Sequence, residues 1–160
     1  MTSACAAAFD AGQAPRVVLD TNACLDLFVF RDPRVAALLT ALQTGDVIAV
    51  TDRDCREEWL RVLAYPQLQL YQAAQTAARE AFDALVHCLQ DVAPEPASCP
   101  LPRCADPDDQ KFLELALASG ARWLLSRDDA LLRLGRRTQR AGLFEILHPR
   151  SWAALRELRD

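Results

Sequence analysis

Four acidic residues, Asp20, Glu58, Asp109 and Asp128, are spread over more than a hundred positions, three where predicted elements begin or end and one on the edge of a helix face. Asp20 ends the apolar run Val17-Val18-Leu19, and Asp128 follows Trp123-Leu124-Leu125-Ser126. Glu58 borders the apolar stripe of a predicted helix, and Asp109 lies in the first turn of another. In an open α/β sheet, ligands bind outside the carboxyl ends of the strands. Carboxylates gathered there with no histidine nearby make an all-oxygen site, which suits Mg2+ or Mn2+ rather than zinc. Such a site serves metal-assisted chemistry on phosphate.

Each acid also has a plainer explanation. An Asp at a strand–helix junction often caps backbone amides, and Asp20 fits that role equally well. On a helix that turns by roughly 100° per residue, Cys55, Trp59, Val62 and Leu63 share one face. Glu58 lies on the edge of that face and Glu57 well away from it. The plain fate of Glu58 is pairing with a nearby arginine. In Asp106-Pro107-Asp108-Asp109, Asp106 reads as the N-cap, Pro107 as the first helical residue and Asp109 as a reciprocal capping partner. Asp109 nevertheless projects with Phe112, Leu113 and Ala116, where a carboxylate needs a positive partner or a metal. Asp108 falls at the edge of that stripe. Asp128 or Asp129 can simply cap the short helix that follows.

The elements that must position these acids alternate. Apolar runs predict strands at 17–19, 47–50, 123–125 and 144–147, with a further short strand possible at 91–93. Helical patterns cover 23–30, 34–42, 52–64, 68–89, 106–119, 128–134 and 151–158. Pro94, Pro96, Pro100 and Pro102 mark an irregular connection. Strands alternating with helices imply a parallel sheet covered on both faces. Residues 1–15 are expected to form a flexible N-terminal tail and 16–160 one domain.

Bulk composition narrows the function classes. A formal charge of −4 argues against a chain that coats nucleic acid by charge alone. No stretch is long or pure enough to span a bilayer, and residues 1–15 lack the basic region of a secretory signal. Six cysteines without a CxxC pair read as free thiols of a reducing cytosol, so a cytoplasmic location is expected. A zinc knuckle from Cys99 and Cys104 with His87 or Cys88 is the remote alternative. Nearly all basic residues are arginine, and Lys111 is the sole lysine.

The ordered stretches Val17-Val18-Leu19-Asp20-Thr21-Asn22, Glu58-Trp59-Leu60-Arg61-Val62-Leu63, Asp106-Pro107-Asp108-Asp109-Gln110-Lys111-Phe112-Leu113-Glu114 and Leu124-Leu125-Ser126-Arg127-Asp128 resemble the PIN-domain family of metal-dependent nucleases. Within it, the chain is most similar to the bacterial subgroup of toxin components of toxin–antitoxin systems. The resemblance spans about residues 16–148. It implies a Rossmann-like three-layer α/β/α fold with a central parallel sheet, a Mg2+ or Mn2+ site and single-stranded RNA as substrate, with 5′-phosphate and 3′-hydroxyl products. By position, Asp20, Glu58, Asp109 and Asp128 match the family's four acids, as metal ligands and catalytic residues. Asn22 and Ser126 match its accessory polar positions. It also implies an antitoxin partner and a homodimer. Two departures stand out. Gln110 replaces a frequent Asp or Asn, and Arg127 replaces a small residue.

Arg127, Arg133, Arg136 and Arg137 are the expected substrate contacts, with Arg53 and Arg56 as alternatives. A solvated surface is the plainer reading, preferred for Arg140. Two other functions compete. One is a non-catalytic PIN-like module that binds RNA or an antitoxin. The other is a phosphatase with an aspartyl nucleophile, which would want a second acid where Asn22 stands.

Overall fold

A computed structural model describes residues 13–90 and 101–159. The expected tail, except for its last residues, the possible strand at 91–93, and Pro94, Pro96, Pro100, Cys5 and Cys99 lie outside the described residues.

The strand β1 (Arg16–Leu19) runs through the middle of the molecule, and Val17, Val18 and Leu19 are all buried. A strand buried on both faces must be apolar at every position. It pairs in parallel with β2 (Ile48–Thr51) on one side and β4 (Trp123–Leu125) on the other. Then β3 (Val86–Cys88) adds to β2 and β5 (Glu145–Leu147) to β4, giving the order β3-β2-β1-β4-β5, all parallel.

Successive strand residues face opposite layers. Val17, Leu19, Trp123 and Leu125 meet α1 (Thr21–Phe28), α2 (Ala36–Thr44), α3 (Arg53–Leu63), α4 (Gln72–Leu85) and Trp152 of α8 (Pro149–Arg159). Phe28, Trp59 and Phe82 pack their rings together there. Val18, Val50 and Leu124 meet α5 (Gln110–Ala118), α6 (Asp129–Leu132) and Leu134, which precedes α7 (Gly135–Arg140). The result is the expected three-layer α/β/α fold.

Capping sets several helix starts. Asp20 accepts from Ala23 N, Asp52 from Cys55 N, and Asp128 from Ala130 N. Gly45, at φ +81°, closes α2 in the left-handed region that other residues avoid.

Three expectations need correcting. The long helix over 68–89 stops at Leu85, because Val86 turns extended and joins β2 opposite Ala49. Its start is also late, since Pro66–Leu68 forms a separate 3-10 turn and Gln69 takes φ +52°. Residues 135–140 form a helix, where the sequence predicts an end at 134. Among the described cysteines, Cys24, Cys55 and Cys104 are free and buried, as expected, but Cys88 is exposed. No helix among the described residues is long and apolar enough to cross a membrane.

Candidate metal centre

Parallel register brings the first acid to its place. Leu19 lies opposite Leu125, so the next residues, Asp20 and Ser126, leave the carboxyl edge side by side. Ser126 Oγ donates to Asp20 Oδ2 at 2.5 Å, and Ala23 N donates to Oδ1 at 2.8 Å. The capping reading of Asp20 is therefore correct, and it does not compete with a place in the site. Burial pushes the Asp20 carboxyl up to about 6, against the pull of Ser126, Ala23 and Arg127 and with a further push from Asp128.

Ser126 Oγ also accepts from Asp128 N at 2.9 Å, so one buried hydroxyl fixes two acids. Asp128 then caps α6 through Ala130 N.

Asp109 approaches from the start of α5, in the same layer as α6. It ends the 3-10 turn Pro107–Asp109 and makes no side-chain capping bond to α5, so the reciprocal capping role expected for it is absent. Asp106 does cap the turn, accepting from Asp108 N at 3.0 Å. Oxygens of Asp106, Asp109 and Asp128 lie within 4.8 Å of one another. Asp109 Oδ2 is buried without a hydrogen-bond partner. Desolvation and the adjacent Asp128 push Asp109 up to about 7, with further contributions from Asp106 and Asp20. Asp128 is held low by its hydrogen bond with Asp109 and by Ala130 N.

Glu58 stands apart from that trio. Its Oε2 accepts from Thr21 Oγ1, and Lys111 Nζ lies 2.7 Å from Oε1. The sole lysine, two residues after Asp109, thus neutralises Glu58, which was expected to pair with an arginine or a metal. Glu57 is exposed and pairs with Arg53 at 3.1 Å, as a solvated residue should. Asn22 and Asp108 are exposed.

The two departures also find places. Gln110 Oε1 accepts from Cys104 N at 2.8 Å and its Nε2 donates to Pro102 O at 3.2 Å, so it pins the loop that leads into the acidic turn. Arg127 Nε lies 3.1 Å from Asp26 Oδ2, a buried acid on α1. Arg133, Arg136 and Arg137 are exposed on α6–α7, the helical excursion that packs against β5. Arg56 is engaged by Asp83 at 2.9 Å.

Three residues here have partners that the sequence does not announce. In the sequence Asp106 reads as a cap only, Lys111 as the sole lysine, and Asp26 stands out in no way. The first two carried a signal, lying three residues before and two after Asp109. Asp26 carried none beyond being an acid on an apolar helix.

The donor set suits a hard divalent cation. It is all carboxylate, it lacks histidine and cysteine, and a buried oxygen has no other partner. Among the described residues, no group of three containing His or Cys is placed to hold zinc.

Searches of curated proteins and of solved structures return no match. A family model described as PIN domain matches residues 16–130, a span that runs from β1 into α6 and holds Asp20, Glu58, Asp109 and Asp128. With most of its length matched, and with a three-layer fold on a parallel sheet, the chain belongs to the PIN-domain family of metal-binding nucleases.

Proposed function

We propose that this protein is a Mg2+- or Mn2+-dependent endoribonuclease that hydrolyses phosphodiester bonds of single-stranded RNA. The observation that carries this reading is the buried, unpartnered Asp109 Oδ2 beside Asp106 and Asp128, with Asp20 close enough to raise its pKa. Carboxylates crowded in this way repel one another once ionised, and a bound cation relieves that repulsion.

Asp20, Asp109 and Asp128 would hold the ion, and Asp106 adds a fourth oxygen group. When bound, the ion supplies neutralisation of phosphoryl charge and a lowered pKa for nearby water. Ser126 fixes the orientation of Asp20 and the start of α6. Glu58, clamped by Thr21 and Lys111, orients the attacking water and accepts its proton. The water oxygen forms the new bond to phosphorus, the bond to the 3′-oxygen breaks, and that oxygen leaves as a hydroxyl after taking up a proton. Asn22 borders this edge as an accessory polar group.

The toxin role, with an antitoxin partner, a homodimer and a cytoplasmic setting, rests on the resemblance of the four ordered motifs. A purified sample incubated with end-labelled single-stranded RNA tests the catalytic reading. Cleavage should require Mg2+ or Mn2+, stop in EDTA and be lost in Asp109→Asn. Cleavage that continues in EDTA, or an inert wild type with either ion, would overturn it. In the second case the binding-module reading takes over.

A further inference from the structure

Beside the acid cluster lies a second group of charges that the chemistry above leaves unused. Asp26, on the largely apolar α1, is 4% exposed. A buried carboxylate is costly without a partner, and the guanidinium of Arg127 provides one. Arg127 sits between Ser126 and Asp128, both part of the metal centre.

Asp32, in the turn after α1, is the second acid. It accepts from Arg34 Nε at 3.0 Å and Nη2 at 3.1 Å, and from Arg150 Nη2 at 3.2 Å. Backbone ties the two acids together, since Asp32 N donates to Asp26 O at 2.9 Å. Arg34, Arg127 and Arg150 therefore converge from three separate segments on two carboxylates. His148, next to this group, accepts from Arg150 N at 3.1 Å through Nδ1. Three cations against two anions leave the group net positive.

The arginines are fixed but not used up. Arg127 Nε and Arg150 Nε are buried and lack an aligned hydrogen bond, while the side chains stay 34% and 37% exposed. A guanidinium held at its inner side still offers N–H groups in a fork suited to phosphate. Position matters as much as charge. An acidic centre repels a polyanion, so a strand entering it needs cations on the adjoining surface.

We propose that Arg127 and Arg150, aimed by Asp26 and Asp32, form the subsite for the RNA backbone phosphate next to the one that is cleaved, with Asp26 as the positioning residue for Arg127. This rests on the single-stranded RNA reading above.

The test is binding of a fluorescein-labelled single-stranded oligoribonucleotide in EDTA, read by anisotropy over a salt series. Arg127→Gln and Arg150→Gln should each weaken binding about tenfold and lower the salt slope by about 0.7. Arg156→Gln, which removes the same charge from a pair with Asp46, should change affinity less than about twofold. Asp26→Asn gives the sharpest contrast. Losing a negative charge should tighten RNA binding on charge alone, whereas loss of the aim on Arg127 should loosen it. Binding by Asp26→Asn that is unchanged or tighter overturns the positioning role. Should that variant fail to fold, Arg127→Lys decides, because it keeps the charge and loses the fork. It should bind as weakly as Arg127→Gln, and wild-type affinity would overturn the proposal. A wild type that cleaves and binds RNA while both glutamine variants bind equally well overturns the subsite alone. A wild type that neither binds nor cleaves RNA overturns the RNA reading and the subsite with it.

Discussion

Asp32 and Asp109 are the same side chain in opposite company. Asp32 has Arg34 on both its oxygens and Arg150 beside them, and its carboxyl is held down to about 2. Asp109 has two other aspartates for neighbours, and burial with Asp128 pushes it up to about 7. Asp46 and Asp83 follow the first pattern, each facing an arginine at 2.8–2.9 Å. The chain has arginines to spare, yet among the described residues none pairs with the oxygens of the cluster at the carboxyl edge. Unbalanced charge, rather than charge itself, distinguishes this cluster from the acids that fasten the surface.

The strongest way to break this comparison is Asp109→Asn. Turnover on single-stranded RNA should fall by at least about a hundredfold. The metal-free protein should melt no lower than wild type, since repulsion with Asp128 is relieved. A variant that cleaves at the wild-type rate, after contaminating nuclease is excluded, would make Asp109 another surface acid. Asp20→Asn should behave alike in activity. Its melting temperature has a competing contribution, because the residue also caps α1.

Lys111→Gln should have a smaller effect. It removes the cation that steadies Glu58, and loss of such a supporting partner typically lowers activity about 10–100-fold. The expected drop lies in kcat rather than KM, and unaltered kinetics would make the Lys111–Glu58 pair purely structural.

Stability against pH sharpens the contrast further. An ordinary aspartate releases its proton near 3.8, whereas the folded, metal-free protein keeps protons to about 6 at Asp20 and about 7 at Asp109. Over that interval the folded state binds more protons than the unfolded one, so stability falls as pH rises. Asp32 and Asp128 are shifted the other way, and their contribution is complete once pH exceeds 3.8, while His148, lowered by burial and by Arg150, opposes the fall only below about 6.5 and leaves the two raised acids dominant. Melting curves in EDTA should therefore show a higher Tm at pH 5 than at pH 8, and Mn2+ should restore much of the loss at pH 8. A Tm that rises from pH 5 to pH 8 without metal would mean the acids are not crowded in solution.

The smallest effects are expected at the paired acids. Asp46→Asn and Asp83→Asn remove surface ion pairs of a kind worth about 0–1 kcal/mol. Neither should alter cleavage, and a loss of activity in either would show that paired surface acids also serve the site.

Much of this was legible before the fold was known, for identifiable reasons. β1, β2 and β4 carry apolar runs because central parallel strands are buried on both faces, while β5, at the sheet edge, is marked by Phe144, Ile146 and Leu147 around Glu145. Only their ends moved, by a residue. β3 was hidden because it sits at the sheet edge with only Val86 buried, and His87-Cys88 continues an alanine-rich helical pattern without a breaker. Its existence depends on a partner strand that lies more than thirty residues earlier. Asp20 and Asp128 could be placed from the strand ends, and Asp109 from its helical face. The roles of Lys111 and Asp26 could not, since each is defined by a contact across the sheet top with a residue distant in sequence. Asp20 and Asp128 both cap a helix and still lie at the carboxyl edge of the sheet, so a cap and a place beside the acid cluster do not exclude one another there.

The junction of α4 and β3 has a consequence for how the chain can vary. Val86 is at once the cap of the helix, its N–H donating to Phe82 O, and the first paired residue of the strand. No slack separates the two elements. Adding or deleting one residue within 72–85 would rotate the end of the helix by a large fraction of a turn and slip the strand by one position. Such a slip reverses which side chains face the core. Point substitutions on the exposed side of α4 should be tolerated freely, while its length stays fixed, like a ruler cut to the width of the sheet.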